Sequence, residues 1–206
     1  MNLLNARSAV AVAVALLFTT ACDQRCFDPA DEAATECEVV EPAEVENGLW
    51  TLAPGAPILD PARLCAARCI DSRAPVFVSN SADLRQVPLL RKLRQVANLR
   101  IDAVDLPDLR GLEHVDVTDV FQVAADGASK TFKSLEGLGD RELNVLILDN
   151  LGGLQNFDAS RFDRLNNFSA SDTAMQTIDL SSLELKRVTV TRSHELVSLV
   201  LGTELS

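Results

Sequence analysis

A short apolar pattern repeats along the second half of the chain. Each copy has an apolar residue, two further residues, a second apolar residue, one residue and a third apolar residue. The copies start 10 or 11 residues apart, so alternate copies recur about every 21 residues. The six copies are Leu143–Leu146–Leu148, Leu154–Phe157–Ala159, Leu165–Phe168–Ala170, Met175–Ile178–Leu180, Leu185–Val188–Val190 and Leu196–Leu199–Leu201. No single copy can bury its own apolar side, so the pattern predicts a stacked array with a continuous core.

The last three positions of each copy predict a short strand. Side chains alternate across a strand, so the second and third apolar residues point the same way. The sequence therefore predicts that Leu146 and Leu148 face the core while Ile147 faces outward, and that every other copy follows this register.

Upstream, the pattern is looser and is mixed with apolar residues spaced by three. The looser copies are Arg73–Val76–Val78, Val96–Leu99–Ile101 and Leu112–Val115–Val117. The spacing by three, as in Leu84, Val87 and Leu90, suits tight turns or short 3-10 pieces, and Pro88 and Pro107 argue against long helices. Residues 121–134 are expected to interrupt the period.

These residues resemble known repeat families. Residues 75–117, with Leu-Pro-Asp-Leu-Arg-Gly-Leu at 106–112, resemble the receptor L-domain repeat. Residues 143–201, with Phe-Asp-Ala-Ser at 157–160 and Ile-Asp-Leu-Ser at 178–181, resemble bacterial leucine-rich repeats of the internalin-like sort. The resemblance implies a mainly β, leucine-rich-repeat-like (receptor L-domain-like) β-solenoid with short helical or 3-10 turns, covering residues 49–206. One departure is that the asparagine that often follows the strand occurs only as Asn150.

The N-terminus has the features of an export signal. Arg7 precedes an apolar run over residues 9–18, which is too short to span a membrane as a helix. The small residues before Cys22 resemble a bacterial lipobox. We therefore expect a signal peptide at 1–21, lipidation of Cys22, and anchoring in the bacterial cell envelope at the inner membrane, the outer membrane or the cell surface.

Residues 22–48 read as an acidic linker. They carry nine acidic side chains against Arg25 alone, and the whole chain has a net charge of −11. This composition favours a solvated tether and argues against nucleic acid as a partner.

Two smaller charge clusters leave alternatives open. A basic cluster could contact anionic polysaccharide or lipid headgroups, or be a solvated rim; it comprises Arg85, Arg91, Lys92, Arg94 and Arg100. A group formed by Asp102, Asp105 and Asp108 could hold calcium, but it lacks the ligand spacing of a known loop, which favours a solvated turn.

Four cysteines remain after Cys22 and are disulfide candidates: Cys26, Cys37, Cys65 and Cys69. Asp60-Pro61 is expected to begin a short helix with Cys65 and Cys69 on one face. These two could bond each other or reach back to Cys26 and Cys37; the second pairing would tie the N-terminal segment to the domain. We expect no metal and no cofactor.

Catalysis finds little support in the sequence. His114 and His194 have no nucleophile motif nearby, Tyr is absent, and Trp50 is expected to sit outside the repeats, which leaves no aromatic platform for a sugar. We therefore expect a non-catalytic recognition or adhesion module rather than an enzyme. The alternative is a carbohydrate-active glycosidase or lyase on a β-solenoid.

The register also predicts a possible ligand face on the outer side of the strands. It is built from the residue between the two inward positions of a copy and the residue that follows the second inward position. Its residues are Arg100, Asp102, Asp116, Thr118, Asp149, Ser169, Ser171, Thr189 and Thr191, with Ile147 among them. The expected partners are the membrane through the N-terminal lipid and an unknown protein or glycan. Self-association is also expected at the edge of the last copy, which lacks an obvious polar cap.

Overall fold

The computed structural model describes residues 37–54, 58–79, 81–87, 89–127, 129–138 and 141–202. The chain is mainly β, with parallel strands coiled into a β-solenoid of about six turns. The predicted mainly β solenoid is therefore confirmed. The predicted signal peptide, Cys22, Cys26 and the linker up to residue 36 lie outside the described residues.

Twelve strands are described, and all of their pairings are parallel. They are β1 Glu38–Val40, β2 Trp50–Leu52, β3 Ile70–Ser72, β4 Val76–Val78, β5 Leu93–Asp102, β6 Asp116–Ala124, β7 Arg141–Asp149, β8 Asn156–Asp158, β9 Phe162–Ser171, β10 Thr177–Leu180, β11 Arg187–Thr191 and β12 Ser198–Leu201.

The main sheet contains nine strands arranged as two adjoining columns. In the first column β1 pairs with β3, and β3 pairs with the first half of β5. In the second column β2 pairs with β4, and β4 pairs with the second half of β5. The strands β5, β6, β7 and β9 are long enough to run through both columns. The second column continues through β9 to β11.

A second sheet, of three strands in the order β12-β10-β8, faces the main sheet across the core. The rings of Phe157 in β8 and Phe168 in β9 stack with their centroids 4.7 Å apart. Neighbouring copies of the apolar pattern therefore lie on opposite sheets. Alternate copies stack on each other, as Ile178 does between Phe157 and Leu199. This arrangement explains the period of about 21 residues.

The predicted register of β7 is confirmed. Leu146 and Leu148 are fully buried, and Ile147 between them is half-buried on the outer side. Each of the three pairs with its counterpart in β6 and in β9, so the inward positions form continuous rows along the solenoid.

Turns that precede the strands contain short 3-10 helices, as the spacing by three predicts. Leu84–Gln86 and Leu90–Lys92 are such helices, and each ends before an extended residue. Three more occur at Pro42–Glu44, Glu46–Gly48 and Ala159–Arg161. Leu84, Leu90 and Ala159, one from each of three of these helices, are core residues that are at most 1% exposed.

The expected interruption at residue 121 is wrong for the first four residues of that segment. Phe121 and Val123 are buried inward positions of β6. The register shifts by one residue beforehand, because Val117 pairs with Val96 but Val120 pairs with Asn98. This bulge makes the spacing four residues instead of three, which hid the copy in the sequence.

A short helix, α1, spans Pro61–Ala66 and lies in the connection between β2 and β3. The Asp60 carboxylate accepts a hydrogen bond from the Arg63 backbone N–H and so caps the helix. The Arg63 side chain donates to Glu44 Oε1 at 2.7 Å, and this contact lowers the pKa of the Glu44 carboxyl. The helix ends at Ala66, so the prediction that Cys69 shares its face with Cys65 is wrong.

A disulfide bond joins Cys37 to Cys69 and ties β1 to the start of β3. Cys65 is disulfide-bonded as well, so Cys65 and Cys69 do not bond each other. Of the two alternatives from the sequence, the structure agrees with the one in which the N-terminal segment is tied to the domain. Cys26 lies outside the described residues.

Candidate binding surface

The outer face of the second column carries three rows of side chains in register. A leading row and an end row flank a middle row that lies between the two inward positions of each strand. The leading row is Asn98, Val120, Val145, Asn167 and Arg187. The middle row is Thr51, Phe77, Arg100, Gln122, Ile147, Ser169 and Thr189. The end row is Asp102, Ala124, Asp149, Ser171 and Thr191.

Most of the residues of the predicted ligand face lie on this surface, in the middle and end rows. Arg100, Ser169 and Thr189 belong to the middle row, and Asp102, Asp149, Ser171 and Thr191 belong to the end row.

Asp116 and Thr118 do not lie on this surface. Asp116 sits in the first column opposite Gln95, whose amide donates to Asp116 Oδ2 at 3.3 Å. The places in the middle and end rows that the sequence pattern assigned to Asp116 and Thr118 are occupied by Gln122 and Ala124. The apolar residues Phe121 and Val123 are spaced like the inward positions of the other copies. With a one-residue bulge before them, this spacing would have placed Gln122 and Ala124 on the outer face.

The composition of the outer face changes along the solenoid. The N-terminal half has half-buried apolar side chains, namely Phe77, Val120, Val145 and Ile147. The C-terminal half has Asn167, Ser169, Ser171, Arg187, Thr189 and Thr191. The surface therefore presents an apolar half and a polar half.

A groove of about 520 Å³ opens on the apolar half. Leu49, which is 40% exposed, lines it together with Phe77 and Val120. The guanidinium carbon of Arg100 lies 5.3 Å from the centroid of the Phe77 ring, within the range of a cation–π contact. This contact holds an exposed positive charge over an apolar floor, and Gln122 adds hydrogen-bonding capacity beside it.

The polar half is fixed by contacts between successive turns of the solenoid. Ser171 donates a hydrogen bond to the Asp149 carboxylate in the strand next to it. Directly after β9 and β11, the Asp172 carboxylate forms a bidentate ion pair with the Arg192 guanidinium, and this contact raises the pKa of the arginine. Asn150, Asp172 and Arg192 all have positive φ angles, so the same left-handed turn follows β7, β9 and β11.

A ladder of amides flanks the outer face. Asn144 donates to Asp119 Oδ1 at 2.8 Å, and Asn166 donates to Asn144 Oδ1 at 3.1 Å. The ladder links β6, β7 and β9 through side chains as well as through the backbone. It keeps successive turns in register beside the candidate surface.

The first column carries a second groove of about 570 Å³, where Asp116 and Thr118 lie. Its lining is polar and includes four carboxylates, from Glu113, Asp116, Glu142 and Asp163. Arg164 forms an ion pair with Glu142 at 2.8 Å. His114 Nε2 is 3.2 Å from the Leu90 carbonyl. Across the described part of the chain, no three His, Cys, Asp or Glu residues are grouped so that they could hold a metal ion.

The predicted basic cluster does not form one surface. Lys92 is 4% exposed, and its ammonium donates to the carbonyls of Cys65 at 2.6 Å and Ala67 at 2.9 Å. Arg85 is hydrogen-bonded to Asp83, which lowers the pKa of that carboxyl. Lys92 is therefore structural, since it satisfies the carbonyls at the end of α1.

Two of the three clustered aspartates serve turns. Asp102 Oδ1 accepts from the Val104 backbone N–H, and Asp108 Oδ1 accepts from that of Arg110. These contacts match the solvated-turn interpretation rather than a calcium loop.

Trp50 lies in the first turn of the solenoid, contrary to the expectation that it sits outside the repeats. It begins β2, pairs with Val76 and is only 4% exposed. It is therefore a core residue and cannot serve as a platform for a sugar.

No family model, curated protein or solved structure matches the chain. Within the described ranges, no helix has the length and apolar character needed to cross a membrane.

Proposed function

We propose that this protein is a lipid-anchored lipoprotein of the bacterial cell envelope that acts as a non-catalytic recognition or adhesion module. In this proposal, a leucine-rich-repeat-like (receptor L-domain-like) solenoid binds a protein or glycan through the outer face of the second column. The signal-like N-terminus and the small residues before Cys22 support export and anchoring.

The observation that carries the proposal is the in-register outer face, with Arg100 held over Phe77 at its groove. Parallel strands about 4.8 Å apart present their side chains on a rigid support, which lowers the entropic cost of binding. Arginine and aromatic side chains, phenylalanine included, are also enriched in protein–protein interfaces relative to the rest of the surface. A partner with a negatively charged group next to an apolar surface fits this arrangement.

Binding to a glycan array and to purified envelope proteins tests the site. We expect Arg100→Glu to weaken any specific binding by at least about tenfold, since it replaces the positive charge of the groove by a second carboxylate, in addition to that of Asp126. Arg164→Glu is the matched control, because it makes the same charge change on the first column. Equal losses in the two variants would mean that the outer face is not the binding site.

One feature favours the alternative function of a glycosidase or lyase, namely the four carboxylates of the second groove. Incubation with envelope polysaccharides tests it. Turnover that is lost in Asp163→Asn and retained in Arg100→Glu would establish the enzyme and overturn the recognition proposal.

The anchor has its own test. Wild-type protein should enter the detergent phase, and Cys22→Ser should move it to the aqueous phase. Thr20→Ser, which keeps a small residue before the cysteine, should behave like the wild type. Unchanged partitioning of Cys22→Ser would contradict lipidation.

A further inference from the structure

One disulfide bond near the start of the solenoid has its second cysteine outside the described residues. Cys37 is bonded to Cys69, and Cys65 is disulfide-bonded as well. The sequence contains five cysteines, so Cys22 and Cys26 are the two that remain as partners for Cys65. A sulfur that carries a lipid cannot also form a disulfide bond. Lipidation of Cys22 therefore leaves Cys26 as the partner.

Cys65 lies in a part of the fold that is held in place from several sides. It is half-buried in α1, and the residue before it, Leu64, is fully buried in the core. The Lys92 ammonium donates a hydrogen bond to the Cys65 carbonyl at 2.6 Å. The bond between Cys37 and Cys69 fixes the chain again shortly after the helix. A second disulfide bond at Cys65 therefore attaches to the body of the solenoid.

We propose that Cys65 is bonded to Cys26 and that this bond holds the first turns of the solenoid beside the membrane. The membrane position rests on the proposed lipidation of Cys22. Four residues of chain lead from Cys22 to Cys26, so their Cα atoms are at most about 14 Å apart. A disulfide bond adds at most about 7 Å between Cα atoms. The Cα atom of Cys65 then lies within about 21 Å of the lipid-bearing residue.

Without this bond the solenoid could move much further from its anchor. The first attachment to the fold would be Cys37, and the chain between Cys22 and Cys37 can span about 50 Å. With the bond, residues 27–36 connect two disulfide bonds and do not lengthen the tether. The groove that Leu49 and Phe77 line belongs to the same first turns as α1. It is therefore also kept close to the membrane and meets partners at that surface.

Formation of the proposed bond is an oxidation that the exporting compartment supplies. The thiols of Cys26 and Cys65 lose two protons and two electrons as the S–S bond forms. A protein disulfide in that compartment accepts them by thiol–disulfide exchange and becomes a dithiol. The bond between Cys37 and Cys69 forms by the same exchange, so the second bond needs no separate oxidant.

Peptide mapping without reduction tests the pairing. The full chain is exported by a bacterial host, extracted in detergent, alkylated and cut with trypsin and a glutamate-specific protease. These proteases place Cys26 in a peptide within residues 26–36 and Cys65 in residues 64–68, with no other cysteine in either peptide. We expect these two peptides to be joined by a disulfide bond. A bond between Cys65 and Cys22, or a free Cys65 thiol, would overturn the pairing.

The same map reads the anchor separately, from the mass of the peptide that carries Cys22. Lipid on Cys22 together with a Cys65 that is not bonded to Cys26 would leave the proposed function standing and overturn this inference. A bond between Cys26 and Cys65 in a protein without lipid would confirm the pairing and overturn the membrane position.

Energy transfer from Trp50 to a headgroup-labelled lipid tests the position of the first turns. Trp50 is the single tryptophan and lies in the first turn. The mature protein is placed in vesicles of phosphatidylethanolamine and phosphatidylglycerol. Cys26→Ser combined with Cys65→Ser should reduce the transfer at least about twofold, because the permitted distance from the anchor more than doubles.

Ala66→Ser is the matched control for this measurement. Ala66 is exposed on the same helix, and its replacement removes no bond, so the transfer should equal that of the wild type. An unchanged emission maximum of the buried Trp50 verifies that the double variant is folded. Equal transfer in the folded double variant and the wild type would overturn the membrane position.

Discussion

The contrast between Leu146 and Ile147 tests the register on which the outer face depends. Leu146 is fully buried between Phe121 and Phe168 in the neighbouring strands, and both rings are at most 1% exposed. Replacing Leu146 by Ala leaves a cavity that these rigid rings cannot easily fill. We therefore expect a loss of about 3–4 kcal/mol in the free energy of unfolding, within the range for such substitutions.

Ile147→Ala is the control within the same strand. Its side chain is half-buried between Gln122 and Ser169 on the outer face. Its loss removes some packing and some strand preference, and we expect a cost below about 1 kcal/mol. The two neighbouring substitutions should therefore differ at least about threefold.

Urea unfolding monitored by two probes measures the contrast. Far-ultraviolet circular dichroism reports all the strands, and fluorescence of Trp50, the single tryptophan, reports the first turn of the solenoid. The midpoint for Leu146→Ala should fall by about 1–3 M urea. Coincident midpoints from the two probes would show that the turns unfold together. Equal costs at the two positions would refute the open outer face, since a slipped register exchanges the two faces.

Three further predictions concern stability. Lys92→Met should cost about 2–4 kcal/mol in urea unfolding, because it keeps the apolar stem but leaves two partly buried carbonyls without their charged donor. The paired change of Cys37→Ser and Cys69→Ser opens a loop with a sequence separation of 32 and should cost about 3–4 kcal/mol by the same measurement. Arg85 lowers the pKa of Asp83 below 3.8, so this ion pair stabilises the fold above that pH and the stabilisation is lost as the pH falls below it. Asp83→Asn should reduce the fall in the thermal midpoint between pH 7 and pH 3, and an unchanged fall would contradict this.

The sequence alone determined the repeating unit and the direction of its side chains. The apolar pattern required stacking, because one copy cannot bury its own apolar side, and the buried rows through Leu146 and Phe168 follow it. The 3-10 turns followed from apolar residues spaced by three together with proline. These features are local, so a short stretch of sequence contains the information for them.

Only the tertiary structure decided which copies touch. The bulge between β5 and β6 shifts the pairing by one residue, and this shift moved Asp116 off the outer face and put Gln122 there. The apolar half of that face arises because Phe77, Val120 and Ile147, far apart in sequence, lie on β4, β6 and β7, within four successive strands of one sheet. The burial of Lys92 and the exposure of Leu199 likewise depend on what packs above each side chain. Residue type and spacing fix the direction of a side chain along its own strand, but its neighbours across strands depend on the pairing of the whole array.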